Sequence, residues 1–176
     1  MLKNYFTIAF RNIWKQKIFS LINISGLAIG ISAALVIYLV VSYDYGFDTF
    51  EGLPEAFGPF GKGSMAVALE SLNINDQRAS FYKGLFQDTL VPFLEQYKSE
   101  RKKLIHLDAD LFSATLFSLS QLYRYLNDGD ILLFDEFAVP KHEFMAFKIF
   151  TESFYVNYEV IGAANNYLFL AVKIKK

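Results

Sequence analysis

Lys103-Leu104-Ile105-His106-Leu107-Asp108-Ala109-Asp110 and Asp130-Ile131-Leu132-Leu133-Phe134-Asp135-Glu136-Phe137 decide how the second half of this chain folds. Each is a short apolar run that stops at carboxylates, the pattern of a buried strand whose C-terminal end opens outward. Between them, Phe112, Leu116, Leu119, Leu122, Tyr123 and Leu126 recur at helical spacing. Strand, helix, strand is the unit of a parallel sheet with right-handed crossovers. In such sheets ligands bind outside the carboxyl ends of the strands. That arrangement brings Asp110, Asp135 and Glu136 over one sheet edge. Oxygen-only ligation suits magnesium, with calcium or manganese as alternatives. Taken alone, Asp110 reads as the N-cap of the helix that follows it. Taken with the other two acids, it reads as part of a site.

Working outward, Ser64 to Leu72 is predicted helical and Ala79 to Tyr82 a strand. Phe86 to Tyr97 is predicted as a helix that bends to accommodate Pro92. His142 to Phe154 is a helix, with His142 and Glu143 solvated at its start. Tyr158 to Ile161 and Tyr167 to Ile174 are strands joined through Gly162 and a turn at Asn165-Asn166. His106 reads as a packed strand histidine. Gly46 to Glu55 reads as a turn-rich loop. Gly58-Pro59-Phe60-Gly61-Lys62-Gly63-Ser64 is a loop too, because a phosphate-binding loop needs its Lys directly before Ser or Thr.

The 176 residues are 53% hydrophobic, with a mean hydropathy of +0.25. The excess is local. Ile18 to Tyr43 is 26 residues without a charge, longer than the roughly 20 needed to span a bilayer. Lys3, Arg11, Lys15 and Lys17 stand before it and no acid does, whereas the rest of the chain carries 13 Lys+Arg against 18 Asp+Glu. Tyr5, Phe6, Phe10 and Trp14 suit the headgroup layer, and the basic flank places the N-terminus in the cytoplasm. The expectation is a single-pass protein of the bacterial inner membrane, or a cytoplasmic one where the leader is not used. Its membrane contact is residues 18–43. Gly26 and Gly30, with Ala34, share a helix face that admits a partner helix. Residues 1–44 form a leader with its transmembrane helix, and residues 45–176 a second domain. The body has no basic excess, which argues against a nucleic-acid partner. The absence of cysteine excludes disulfides and thiolate chemistry.

Two resemblances follow from these residues. Met1-Leu2-Lys3-Asn4-Tyr5-Phe6, Arg11-Asn12-Ile13-Trp14-Lys15 and Asn23-Ile24-Ser25-Gly26-Leu27-Ala28-Ile29-Gly30 resemble the first segment of ABC transporter permeases of the macrolide and lipoprotein export type. Phe47-Asp48-Thr49-Phe50-Glu51-Gly52-Leu53-Pro54-Glu55, Lys83-Gly84-Leu85-Phe86-Gln87-Asp88-Thr89-Leu90, His106 to Thr115 and Phe134-Asp135-Glu136-Phe137 together resemble the macrocin O-methyltransferase type of S-adenosylmethionine-dependent methyltransferase, over residues 46–176. The second resemblance implies a Rossmann-like class I fold and magnesium-assisted methylation of a sugar or other small hydroxylated acceptor. It implies Asp110, Asp135 and Glu136 as metal ligands, Asp110 also as base, and Asp48 at the ribose side of S-adenosylmethionine.

No G-x-G pattern lies upstream of Asp48, although such a turn follows the first strand of dinucleotide-type sites. The expected fold is therefore a partial Rossmann-like α/β sheet without its first strand and glycine-rich loop, behind one transmembrane helix. The positive-inside rule puts residues 44–176 outside the cell, away from a cytosolic cofactor. The expected history is a recombined or truncated gene, giving an incomplete methyltransferase in which activity is in question. The alternative is a membrane-anchored, non-catalytic module or permease fragment.

Overall fold

The computed structural model describes residues 43–72 and 74–176. The predicted membrane helix and the Gly26 and Gly30 face lie outside those residues. Among the described residues no helix is long and apolar enough to cross a membrane.

Six strands and three α-helices follow one another from Asp44. They are β1 (Asp44–Asp48), β2 (Ala79–Lys83), α1 (Phe86–Gln96), β3 (Leu104–Leu107), α2 (Phe112–Leu122), β4 (Ile131–Phe134), α3 (Glu143–Phe154), β5 (Asn157–Ala164) and β6 (Phe169–Lys175). They form a two-stranded sheet, β1-β2, and a four-stranded sheet in the order β3-β4-β6-β5. Within the larger sheet, the parallel pairing expected from the alternation is found at β3-β4. Strand β6 runs antiparallel to both β4 and β5, so the larger sheet is mixed. The cause is local. Asn165, Asn166 and Tyr167 all take positive φ and reverse the chain within four residues, too few for a parallel crossover.

The core fills one face of that sheet. Leu132 pairs with Val172 and Phe134 with Leu170. All four are buried, together with Leu119 of α2 and Phe147 and Phe150 of α3. The alternate residues Ile131, Leu133 and Ala171 remain half-buried. Phe134 and Phe147 meet at 5.0 Å between ring centres, and such pairs add about 0.5–1.5 kcal/mol beyond their burial. The smaller sheet has its own aromatic cover. Phe93 of α1 lies 4.8 Å from Tyr45 and 5.1 Å from Phe47, and Phe47 stacks on Tyr82 at 4.9 Å.

Two elements differ from expectation. Gly46 to Glu55 begins with a strand, β1, because Tyr45 and Phe47 find ring partners. Ser64 to Leu72 is helical only as a 3-10 turn at Leu69–Leu72, none of which is buried. Without a face to pack, a helix this short has little to stabilise it. Ser64 is instead used to close a loop. Its carbonyl accepts the Leu53 N–H at 2.9 Å, and Leu53 O accepts the Gly63 N–H at 2.8 Å. Gly52 sits inside this loop at φ +79, where a Cβ would come within 2.3 Å of Ser64 O. Leu53 and Phe57 then pack on Leu111, at the start of α2. The loop after β1 is thereby anchored beside the C-terminal end of β3.

Candidate active site

The strand register builds the site. Leu107 pairs with Phe134 at the ends of β3 and β4, and the Asp135 N–H donates to Leu107 O at 3.3 Å. The next residues, Asp108 and Asp135, therefore emerge side by side. Asp110 lies two residues further on, and Glu136 follows Asp135.

Asp110 is not a helix cap. The capping position of α2 belongs to Leu111, and no side chain bonds the helix end. Asp110 itself is held at φ 55, a left-handed conformation that costs a non-glycine residue energy and persists where the surroundings enforce it. Its side chain is thus left free for other work.

The acids disturb one another. Burial first, and then the charges of Asp108 and Asp135, push the Asp110 carboxyl above its ordinary range. Asp108 is raised by desolvation and then by Asp135, with His106 opposing and Asp48 adding repulsion. Glu136 is raised by burial and then by Asp110, Asp135 and Asp108. The ends of β1, β3 and β4 thus share one field of negative charge. Asp108 belongs to this group on equal terms, and the β3-β4 register was the signal for it. Asp48 is exposed, and its Oδ1 accepts the Phe50 N–H in a local turn.

His106 is not packed. It is exposed on β3, and its Nε2 stands 3.8 Å from Asp135 Oδ1. It alternates with Ile105 and Leu107, which carry the core side of the strand. Glu143 reverses the other expectation. Instead of being solvated, it is fully buried at the start of α3. Its Oε2 accepts the Glu136 N–H at 3.1 Å. Burial raises its carboxyl to about 7, against the backbone N–H groups of Glu136 and Ala109, which favour the charged form. The neighbouring His142 packs edge-on against Phe57 at 4.8 Å.

Among the described residues, no three acidic or histidine side chains are gathered closely enough to hold a metal ion. The donor chemistry of Asp110, Asp135 and Glu136 suits a hard cation, being all oxygen and mutually repelling. Their side chains are not drawn around one point.

Residues 61–163 match the Macrocin-O-methyltransferase (TylF) family. The chain belongs to that family. The matched segment contains Asp108, Asp110, Asp135, Glu136 and Glu143 and begins after Asp48. A curated relative from Streptomyces olivaceus, 8-demethyl-8-(2,3-dimethoxy-alpha-L-rhamnosyl)-tetracenomycin-C 4'-O-methyltransferase, is 29% identical over 110 residues. That alignment covers 52% of this chain and 41% of the relative, so the chain spans about two-fifths of the length of the curated relative it matches. Among solved structures, the O-methyltransferase NovP superposes with a TM-score of 0.61 at 18% identity, covering 81% of this chain and 64% of NovP. CalS11, a calicheamicin methyltransferase, superposes with a TM-score of 0.60 at 21% identity, covering 74% of this chain and 60% of CalS11. These likenesses show an α/β methyltransferase-like fold with mixed sheets. The macrocin O-methyltransferase match lies wholly outside residues 1–44, the segment on which the permease resemblance rests.

Proposed function

We propose that the acidic strand ends form the active site of an S-adenosylmethionine-dependent O-methyltransferase acting on a hydroxyl of a sugar-linked small molecule. One observation carries this reading: within the segment matched to the family, Asp110 is strained, caps nothing and stands among other acids. The acceptor class is taken from the relative that methylates a rhamnosyl hydroxyl.

In this reading the acceptor hydroxyl lies against Asp110. Its oxygen attacks the methyl carbon, the S–CH3 bond breaks, and the electron pair passes to sulfur, leaving S-adenosylhomocysteine. The hydroxyl proton goes to the Asp110 carboxylate. A carboxyl lifted toward the working pH is the better base, and burial together with Asp108 and Asp135 supplies that lift. Asp48 is assigned to the ribose hydroxyls, at the end of β1 and electrostatically in reach of Asp108. Asp110, Asp135 and Glu136 are the oxygen donors that would hold magnesium once their side chains turn toward one point, and it would supply Lewis-acid polarisation of the acceptor.

Calorimetry of the full chain with S-adenosylmethionine tests the cofactor half of the proposal. Micromolar binding that weakens by about 1 kcal/mol, the net value of a hydrogen bond, in Asp48→Ala is the expected result. No binding by the unsubstituted chain contradicts it. Magnesium titration in the same cell tests the metal, with heat expected from the unsubstituted chain and none from Asp135→Asn.

A further inference from the structure

Glu143 is an expensive residue where it stands. It is fully buried, its Oε1 has no hydrogen-bond partner, and Asp108 and Asp110 repel its charge. A buried carboxylate with incomplete pairing is destabilising, and an apolar side chain of similar volume is commonly better tolerated. Phe147 and Phe150 on the same helix show that α3 packs well with apolar side chains. Stability therefore does not account for Glu143.

Its partner does. Oε2 takes the N–H of Glu136, in the loop after β4. Glu136 follows Asp135, so one buried side chain holds the backbone of the loop that carries both acids. Asp110, past the end of β3, acts on the charge of Glu136 and of Glu143 alike.

We propose that Glu143 is a positioning residue, whose buried carboxylate holds the backbone of the loop after β4 at Glu136 and so fixes Asp135 and Glu136 relative to Asp110. The proposal rests on the reading of Asp110 as the base. Glu143 touches no reacting atom; it acts through the backbone that carries the acids. Misplacement of reacting groups by about 1 Å costs on the order of a hundredfold in rate, which sets the size of the expected effect.

The test is made on the full chain with Glu143→Leu and Glu143→Gln, by amide hydrogen exchange, thermal unfolding and methyl transfer from S-adenosylmethionine to a rhamnosylated acceptor. Glu143→Leu is expected to keep or raise the unfolding temperature. Its Glu136 amide is expected to lose protection by about tenfold or more, the sign of local opening. Its kcat is expected to fall about a hundredfold, with KM for S-adenosylmethionine unchanged. Glu143→Gln, whose amide oxygen still accepts one N–H, is expected to recover protection at Glu136 and part of kcat. Unchanged protection at Glu136 in Glu143→Leu overturns the proposal, as does a kcat equal to that of the unsubstituted chain. Should Glu143→Leu not fold, Glu143→Met decides: unchanged protection at Glu136 or an unchanged kcat overturns it. An unsubstituted chain that transfers no methyl group contradicts the methyltransferase reading instead, and the exchange at Glu136 still decides whether Glu143 holds the loop.

Discussion

The two ends of the β3-β4 pair carry acids in opposite ways. At the N-terminal end Asp130 is fully buried and fully answered. Its Oδ1 accepts the Lys103 N–H at 2.9 Å, its Oδ2 accepts the Asn127 N–H at 2.7 Å, and Lys103 Nζ pairs with Oδ2 at 2.9 Å. At the C-terminal end Asp108, Asp110, Asp135 and Glu136 crowd one another, and three of them are raised by desolvation and mutual repulsion. The basic side chain identified beside them is His106, whose Nε2 stands 3.8 Å from Asp135 Oδ1. A carboxylate that serves stability is supplied with amides and a counter-charge. Carboxylates left to repel one another contribute no such support. The same strands thus carry a satisfied acid at one end and, at the other, the cluster to which the proposed chemistry is assigned.

Breaking the structural end is expected to give the largest change. Asp130→Ala leaves Lys103 without its partner inside the sheet and frees two backbone N–H groups, and is expected to cost about 3–5 kcal/mol. Urea unfolding monitored by circular dichroism measures it; a loss under about 1 kcal/mol removes the distinction between the two ends. A pH series sharpens the contrast from the other side. The folded chain holds a proton on Glu143 up to about 7, against an ordinary value of 4.5. Between those two values the native state binds more protons than the unfolded chain, so stability falls as pH rises through that window. The drop is expected to be on the order of 3 kcal/mol, and Glu143→Gln is expected to flatten it. Asp108, Asp110 and Glu136 act in the same direction. A stability that climbs with pH across this range contradicts the assignment. The smallest effect is at the functional end. Asp108→Asn removes one of several like charges and is expected to leave stability unchanged or raise it by about 0.5 kcal/mol, in the same urea measurement.

Much of this was written in the chain. The Ile131–Phe134 strand has the predicted bounds, since four apolar residues between acids have no other stable place. The helix at α2 followed from apolar spacing, with Phe112 as its first residue. The direction of the last two strands was legible in Asn165-Asn166, a turn too short for a crossover, although the alternation of strands and helices pointed to a parallel sheet. Strand β1 was hidden by Gly46, which reads as a turn residue but here makes room for Phe81. The helix expected at Ser64–Leu72 failed for want of a surface to pack on, which no local spacing reports.

The site divides the same way. Asp110, Asp135 and Glu136 could be read from runs that stop at acid. Asp108 required the register, which only the paired strands supply. Glu143 was invisible because an acid in the first turn of a helix usually faces water, where the helix dipole favours it. His106 was misjudged for a related reason: alternation fixes that one side of β3 is buried, and Leu107, not His106, takes that side.

The central claim is that the crowded acids at the C-terminal strand ends do chemistry, with Asp110 as base. Transfer of labelled methyl from S-adenosylmethionine to a rhamnosylated acceptor, compared between the unsubstituted chain and Asp110→Asn, tests it most directly. Measurable transfer that falls by about 10²–10⁴-fold in Asp110→Asn, the usual worth of a general base, with the unfolding temperature unchanged, is the predicted result. Transfer that proceeds equally well without the Asp110 carboxylate contradicts it.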